Sequence, residues 1–531
     1  MKRKINEVAV LGSGVMGSRI AAHFANIGCK VYLLDIVPKE LNDSEKKKGL
    51  TLQDAVVRNR IANDNLQNVL KAKPSPIYRN DFASRITTGN FDDNMNLLSN
   101  VDWIIEAVVE NLEIKKKVFD NVEKFRKPGT LITTNTSGIP IHLMNEGRSE
   151  DFQKHFCGAH FFNPPRYLQL LEVIPTPKTS QDVIDFLMWY GDLYLGKTTV
   201  LCKDTPAFIA NRIGVFSIMA VFKLKKELGL SVKEIDTLTG PLTGKPKSAT
   251  FRTADVVGID TLVKVANNVY HDCPNDEARD LFAIPDYVNK LVENNWLGDK
   301  TGQGFYKKSK NEKGEKEILE LDTDAFEYKP SPKSNMPSVA AAKPIDNLKE
   351  RMKVLVSGKD KAAEFLRKLN FYVFQYSSNR IPEISDELYK LDDAMRAGFG
   401  WELGPFETWD ALGVKKTVDK MLEANMKPAD WVLKMLESGF TSFYKSENGK
   451  KKFYDIASNS YKEIPGKGDF IILDNYRANE PVWKNSGATL HDIGDGIVNL
   501  EFQTKMNSIG SEILEAINKS IEIAEKDFKG L

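Results

Sequence analysis

Long apolar runs are missing from this chain of 531 residues. None approaches the ~20 apolar residues that span a bilayer, so no membrane-crossing helix is expected. Met1-Lys2-Arg3-Lys4 runs straight into a strand pattern, with no apolar core and no small-residue cleavage site, so a secretory leader is not expected. Cysteine is scarce. Cys29, Cys157, Cys202 and Cys273 are scattered without a C-x-x-C pair. That excludes a disulfide or zinc framework and fits a reducing compartment, so a soluble cytoplasmic protein without a metal is expected. An excess of one charge is also missing. Lys and Arg number 74, Asp and Glu 73, and the formal net charge is +1. No broad nucleic-acid-binding field follows from that balance. Histidine is rare too, with six residues, which keeps the choice of a catalytic base short.

What is present is concentrated in residues 5–38. Val8 to Leu11 reads as a buried parallel strand. Gly12-Ser13-Gly14-Val15-Met16-Gly17 spells G-x-G-x-x-G. A helical pattern follows, with Ile20, Phe24 and Ile27 on one face and Gly28 as its stop, and a second strand ends in Asp35. A glycine triplet alone is weak, but here strand, helix and terminal acid all stand in place. Gly12 permits the tight turn, Gly14 lets the backbone approach a pyrophosphate, and Gly17 lets helix and strand pack closely. The phosphates sit at the helix N-terminus, beside Val15 and Met16, where free N–H groups favour negative charge. Asp35 accepts hydrogen bonds from a ribose and repels a 2′-phosphate, which favours NAD over NADP.

The rest of the chain falls into zones. Residues 39–73 read as one or two charged helices. Their Lys46, Lys47, Lys48, Arg58, Arg60, Lys71 and Lys73 form either a solvated face or contacts to the phosphates of a large anionic substrate. Strand patterns resume at Ile86–Thr88, Val101–Val109, Thr130–Thr134, Ala159–Phe161, Leu170–Ile174 and Thr199–Cys202. With the charged helix at 112–126 they predict a doubly wound α/β domain over 1–203. From 204 to 308 the pattern is helical, with a long helix over 206–228. Residues 309–345 are expected as a linker, from the Pro-, Ser- and Ala-rich stretch at 328–345. A second helical unit, 346–440, echoes the first. Phe251, Thr253, Asp255 and Gly258 recur as Phe406, Thr408, Asp410 and Gly413, which predicts a duplicated all-helical domain. Residues 441–485 predict a hairpin-containing connector, and 486–531 two strands, a polar turn, an amphipathic helix and the start of a further strand.

A nicotinamide cofactor takes a hydride, so oxidation of an alcohol also needs a base for the hydroxyl proton. His23 reads as packing on the first helix. His142, His155, His271 and His491 lie in polar stretches with no partner evident. His160 stands at a strand end on the expected cofactor side, and Glu172 on the following strand is a candidate to fix its tautomer. Ser137 follows a strand at the carboxyl edge of the sheet, where its hydroxyl can bond a substrate oxygen. Asn211 can supply a neutral donor to a polarised carbonyl. Ser, His and Glu together also invite a hydrolase reading, against which stands Asn135-Thr136-Ser137-Gly138 in place of a G-x-S-x-G elbow.

Together these stretches resemble the 3-hydroxyacyl-CoA dehydrogenase family. The resemblance rests on GSGVMG (12–17), EAVVENLEIKKKVF (106–119), NTSG (135–138), GAHFFNPP (158–165), LLEVI (170–174), KDTPAFIANR (203–212) and KTGQGFY (300–306). The segment GFGWELGPFETWD (398–410) is similar to the duplicated C-terminal domain of multifunctional fatty-acid oxidation proteins. The resemblance implies a Rossmann-type NAD-binding domain, two all-helical domains, and His160 as base with Glu172 as its partner. Ser137 and Asn211 would hold substrate, and Glu110, Lys115, Ser137, Asn163 and Lys300 would contact NAD. The first helical copy departs from the family at GPLTGKPKSATF (240–251), where Gly-Pro-Phe-Glu is usual. The implied activity is NAD-dependent oxidation of L-3-hydroxyacyl-CoA in fatty-acid β-oxidation. An acyl-CoA is the implied substrate, and there is room for a thiolase partner and a homo-oligomer. Residues 494–531 resemble the opening ββα of a crotonase domain, so a truncated dehydrogenase–hydratase without hydratase activity is expected. Two alternatives stay open: a β-hydroxyacid dehydrogenase acting on a small free acid, and a non-catalytic NAD-binding protein.

Overall fold

Eight short strands form one sheet: β1 Glu7–Leu11, β2 Lys30–Asp35, β3 Ile86–Asn90, β4 Trp103–Glu106, β5 Leu131–Thr134, β6 Phe156–Phe161, β7 Leu170–Pro175 and β8 Thr198–Leu201. This is a computed structural model, and it describes residues 3–311, 313–332, 334–466, 471–477 and 479–531. The strand order is β3-β2-β1-β4-β5-β6-β7-β8. The inner strands are apolar on both faces because helices cover both sides. Val8, Val10, Phe24, Trp103 and Leu171 belong to one core cluster, and Phe24 meets Trp103 edge-on at 5.1 Å. The order reverses at β1, between β2 and β4, which places the ligand crevice at the carboxyl ends of β1 and β4.

Several expectations are corrected. The sheet is parallel except between β6 and β7, which run antiparallel. The connection 162–169 is too short for a parallel return, which needs a crossover of about a dozen residues. The strand expected over 101–109 is confined to Trp103–Glu106. Beyond it the chain passes over Gly12, whose Cβ position lies 2.7 Å from Ala107 O. The charged stretch 39–73 folds as three helices, Asp43–Lys47, Ala55–Arg58 and Arg60–Leu70. There Arg58 pairs with Asp93 and Arg60 with Glu45, so two of its basic residues already have protein partners.

The long helix runs Ala210–Leu228 and starts later than expected, after a turn at 206–209. The described part of 309–345 is not a bare linker. Tyr306–Lys310, Lys316–Asp322 and Glu327–Pro330 make a three-stranded antiparallel sheet, and Pro337–Ala342 is a helix. Tertiary contacts override the composition: buried Leu321 donates its N–H to Phe305 O, and Glu320 accepts from Lys233 N at 2.7 Å. Residues 312 and 333 of that stretch, and 467–470 and 478 of the expected connector, lie outside the described residues.

The chain divides into two compact units, Met1–Leu412 with Thr417–Ala429, and Gly413–Lys416 with Asp430–Leu531. The second unit holds the antiparallel sheet Tyr444–Glu447, Lys450–Asp455 and Ser460–Glu463. It also holds the sheet Trp483–Lys484, Ala488–Asp492 and Val498–Phe502, packed against helix Ser511–Asp527 through Ala488, Ile513 and Ala516. Among the described residues no helix is long and apolar enough to cross a membrane.

Candidate active site

Two parts of the glycine loop obey different physics. Gly17 is required by the protein itself, since a Cβ there would stand 1.8 Å from Gly12 O. Gly14 has nothing of the protein within 4 Å of its Cβ position. It caps helix Val15–Asn26 without a side-chain hydrogen bond, and Val15 is 62% exposed. Open space before orphan helix amides is a cradle that a phosphate fits and a Cβ would fill. We therefore expect Gly17→Ala to destabilise the fold by about 1–3 kcal/mol. Gly14→Ala should leave the melting temperature unchanged and weaken NAD about tenfold, equivalent to about 1.4 kcal/mol. Thermal melts beside NAD titrations check this, and equal loss of stability in both variants would refute it.

Asp35 sits at the end of β2 and grips the same loop. Its Oδ2 accepts from Ser13 N at 2.6 Å and Ser13 Oγ at 2.5 Å, and Oδ1 accepts from Ile36 N at 2.7 Å. Ser13, which the motif leaves unspecified, thus ties the acid to the turn. Glu110 braces the neighbouring loop. Its Oε1 accepts from Ser137 N at 3.0 Å, Gly138 N at 2.8 Å and Thr136 Oγ1. Burial would raise the Glu110 pKa, but Lys115, Thr136 and the two amides outweigh burial and hold it below the ordinary carboxylate value. Lys115 is buried between acids, 2.8 Å from Glu106 and 3.4 Å from Glu110. Lys300 pairs with Asp260 at 2.5 Å. Both ammonium groups thus have acid partners within the protein, and the Lys300 side chain stays 47% exposed. Arg19 bonds the side chain of Asn163.

His160 and Glu172 face each other directly in the antiparallel register of β6 and β7. Nδ1 of His160 lies 2.8 Å from Glu172 Oε2. Glu172 is fully buried and His160 is 7% exposed. The other oxygen, Oε1, accepts from Ile209 N at 3.2 Å and Ala210 N at 2.8 Å, at the start of helix Ala210–Leu228. One carboxylate thus joins the imidazole to the helix whose second residue is Asn211. The rings of Phe162 and Phe208 lie 4.6 Å and 5.7 Å from the imidazole. Both rings fall in stretches that carry the family resemblance, but their place beside the imidazole is not legible there; Phe208 arrives from a turn that local periodicity reads as helix. Asn135 Oδ1 accepts from Phe161 N at 2.9 Å, which brings the 135–138 loop alongside β6. The side chains of Ser137 and Asn211 are half-buried and make no hydrogen bond among the described residues. Burial and the adjacent Glu172 carboxylate push the Cys202 thiol well up, which makes it inert. Burial lowers Lys197 to about 8, and its ammonium holds the carbonyls of Pro165 and Leu168 in the connection after His160. Three histidines expected without partners have them: His142 lies 2.8 Å from Asp204, His155 Nδ1 2.7 Å from Asp151 O, and His491 3.4 Å from Glu501.

Residues 7–205 match the family described as 3-hydroxyacyl-CoA dehydrogenase, NAD binding domain, and residues 208–308 match its C-terminal domain. The chain belongs to the 3-hydroxyacyl-CoA dehydrogenase family. Its cofactor is NAD. A Bacillus subtilis (strain 168) relative named "Probable 3-hydroxyacyl-CoA dehydrogenase" is 45% identical over 532 residues, which cover 100% of this chain and 66% of the relative. The chain thus spans about two-thirds of that relative's length. A Deinococcus radiodurans relative of the same name is 46% identical over 310 residues, 58% of this chain and 85% of the relative. The crystal structure of 3-hydroxybutyryl-CoA dehydrogenase from Escherichia coli K12 shares the fold. Its TM-score is 0.57 at 22% identity, covering 82% of this chain and 99% of the other. The glycine cradle and Asp35 described above fit the cofactor of this dehydrogenase family, and the His160–Glu172 pair lies in its matched NAD-binding domain.

Proposed function

We propose that the protein oxidises the C3 hydroxyl of an L-3-hydroxyacyl-CoA to the 3-ketoacyl-CoA, with His160 as base and Glu172 as its partner, in fatty-acid β-oxidation. The observation that carries this reading is the buried Nδ1–Oε2 bond of 2.8 Å between them. An ionised carboxylate only accepts, so Nδ1 keeps the proton and the Nε2 lone pair is left to receive another. NAD, when bound, supplies the hydride acceptor. Nε2 of His160 takes the hydroxyl proton as the C3–H bond breaks, and the imidazolium so formed is stabilised by Glu172. Two helix amides hold that carboxylate in place. Ser137 and Asn211 are assigned to the substrate oxygens. Gly12, Gly14, Val15, Met16, Gly17 and Asp35 are assigned to the cofactor, together with Glu110, Lys115, Ser137, Asn163 and Lys300.

Residues 346–440 are assigned as a second copy of the helical domain. Asp236 accepts from Phe251 N at 2.7 Å and Arg252 N at 3.0 Å, and Asp392 accepts from Phe406 N at 2.9 Å and Glu407 N at 3.1 Å. The same acid-to-helix cap thus recurs at matching places. Residues 486–531 are assigned as the ββα opening of a crotonase-like module. A cytoplasmic setting and a thiolase that consumes the 3-ketoacyl product complete the reading. NADH formation from a panel of 3-hydroxyacyl-CoA chain lengths tests it. Turnover should appear with at least one chain length, and NAD binding without turnover on any of them would overturn it.

A further inference from the structure

The turn before helix Ala210–Leu228 is strained. Ala207 and Phe208 both lie in the left-handed region, with φ of 62° and 48°. Side chains other than glycine persist there only when their surroundings over-determine them. The strain sits beside the base: Phe208 packs on His160, and the next two amides hold Glu172. Glu172 therefore clamps the turn from the sheet side.

Arg212 clamps it from behind. Its side chain is fully buried, its NH1 reaches Pro206 O at 3.4 Å, and its main-chain N–H donates to Ala207 O at 3.2 Å. The guanidinium is itself fixed on three sides. Nε donates to Tyr376 Oη at 2.5 Å, and NH2 donates to Asp276 Oδ2 at 2.6 Å and Glu383 Oε1 at 3.0 Å. Tyr376 Oη donates in turn to Asp276 Oδ2 at 2.7 Å, and Arg380 NH1 stands 3.1 Å from the same oxygen. The Tyr376 ring stacks on Phe216 with centroids 3.7 Å apart and planes at 2°. Ring and hydroxyl thus have separate tasks, packing for the first and bridging for the second.

We infer that Tyr376 and Asp276 are positioning residues for the His160–Glu172 pair, acting through Arg212 on the turn 206–209. The inference rests on the functional reading above, in which that pair carries the chemistry. It gives helix Lys361–Asn379, which lies beyond the residues matched by the family, a part in the reaction.

The test uses Tyr376→Phe in the full chain, which keeps the stack on Phe216 and removes the bridge. Turnover with 3-hydroxyacyl-CoA should fall about tenfold, since small misplacements of a catalytic group are costly, while KM for NAD stays unchanged. In the ligand-free protein the Nδ1 proton resonance of His160 should shift. Arg212→Lys keeps the charge but loses the planar fork, and should reproduce both effects. A variant with a lower melting temperature but unaltered turnover and Nδ1 resonance would show a purely structural role and overturn the inference. If the unsubstituted chain forms no NADH with any substrate, the functional reading fails instead. The Nδ1 resonance then still decides whether Tyr376 reaches His160: a shift upholds the coupling and no shift ends it.

Discussion

Replacing His160 with glutamine should lower turnover by roughly 10²–10⁴-fold, the usual contribution of a positioned base. NAD affinity should hardly move. The imidazole lies on β6 beside Glu172, whereas the glycine loop and Asp35 lie at the ends of β1 and β2, and no hydrogen bond links the two groups directly. Glutamine has similar reach but no nitrogen that both takes a proton and holds it as a cation. The loss should therefore fall on kcat and kcat/KM together, the pattern of an interaction made in the transition state. Steady-state NADH formation beside NAD titration measures this. Turnover within a factor of a few of the unsubstituted enzyme would remove His160 from the mechanism.

Glu172→Gln should cost about 10²-fold or more, although its side chain moves no proton itself. The two carboxylate oxygens accept from three donors: the imidazole, Ile209 N and Ala210 N. An amide has one acceptor oxygen. If that oxygen stays on the helix amides, the NH2 faces Nδ1 and favours the tautomer with its proton on Nε2, which is useless to a base. If it turns to His160, two buried amides lose their acceptor, at about 1–3 kcal/mol each. Both outcomes harm the site. Glu172→Asp keeps both oxygens on a shorter stem and should retain more activity than Glu172→Gln. The ranking can be read from kcat in the three proteins, with melting curves to separate the two failure modes. A glutamine variant as active as the aspartate variant would show that the carboxylate charge and its second oxygen do not matter.

The sequence by itself settled what neighbouring residues do to one another. The glycine loop, the strand before it, the helix after it and Asp35 are fixed by turn chemistry and periodicity over some thirty residues, and the structure places them so. His160 emerged because histidine is rare and only one lay at a suitable strand end. The tertiary structure decided who faces whom. The short connection 162–169 forces β7 to run antiparallel to β6, and that register, invisible to local pattern, sets Glu172 opposite His160. The turn at 206–209 reads as helix by periodicity, yet Glu172 and Arg212 hold it open from two sides. The acids that pair with Lys115 and Lys300, Glu106 and Asp260, come from outside their own turns, so the sequence pattern does not show them. Residues 309–345 read as linker, yet in their described part Leu321 and Glu320 meet partners from other segments. Local rules act through bonded geometry over a few residues, whereas partners across a sheet or between helices depend on connection length and packing, which no short window of sequence contains.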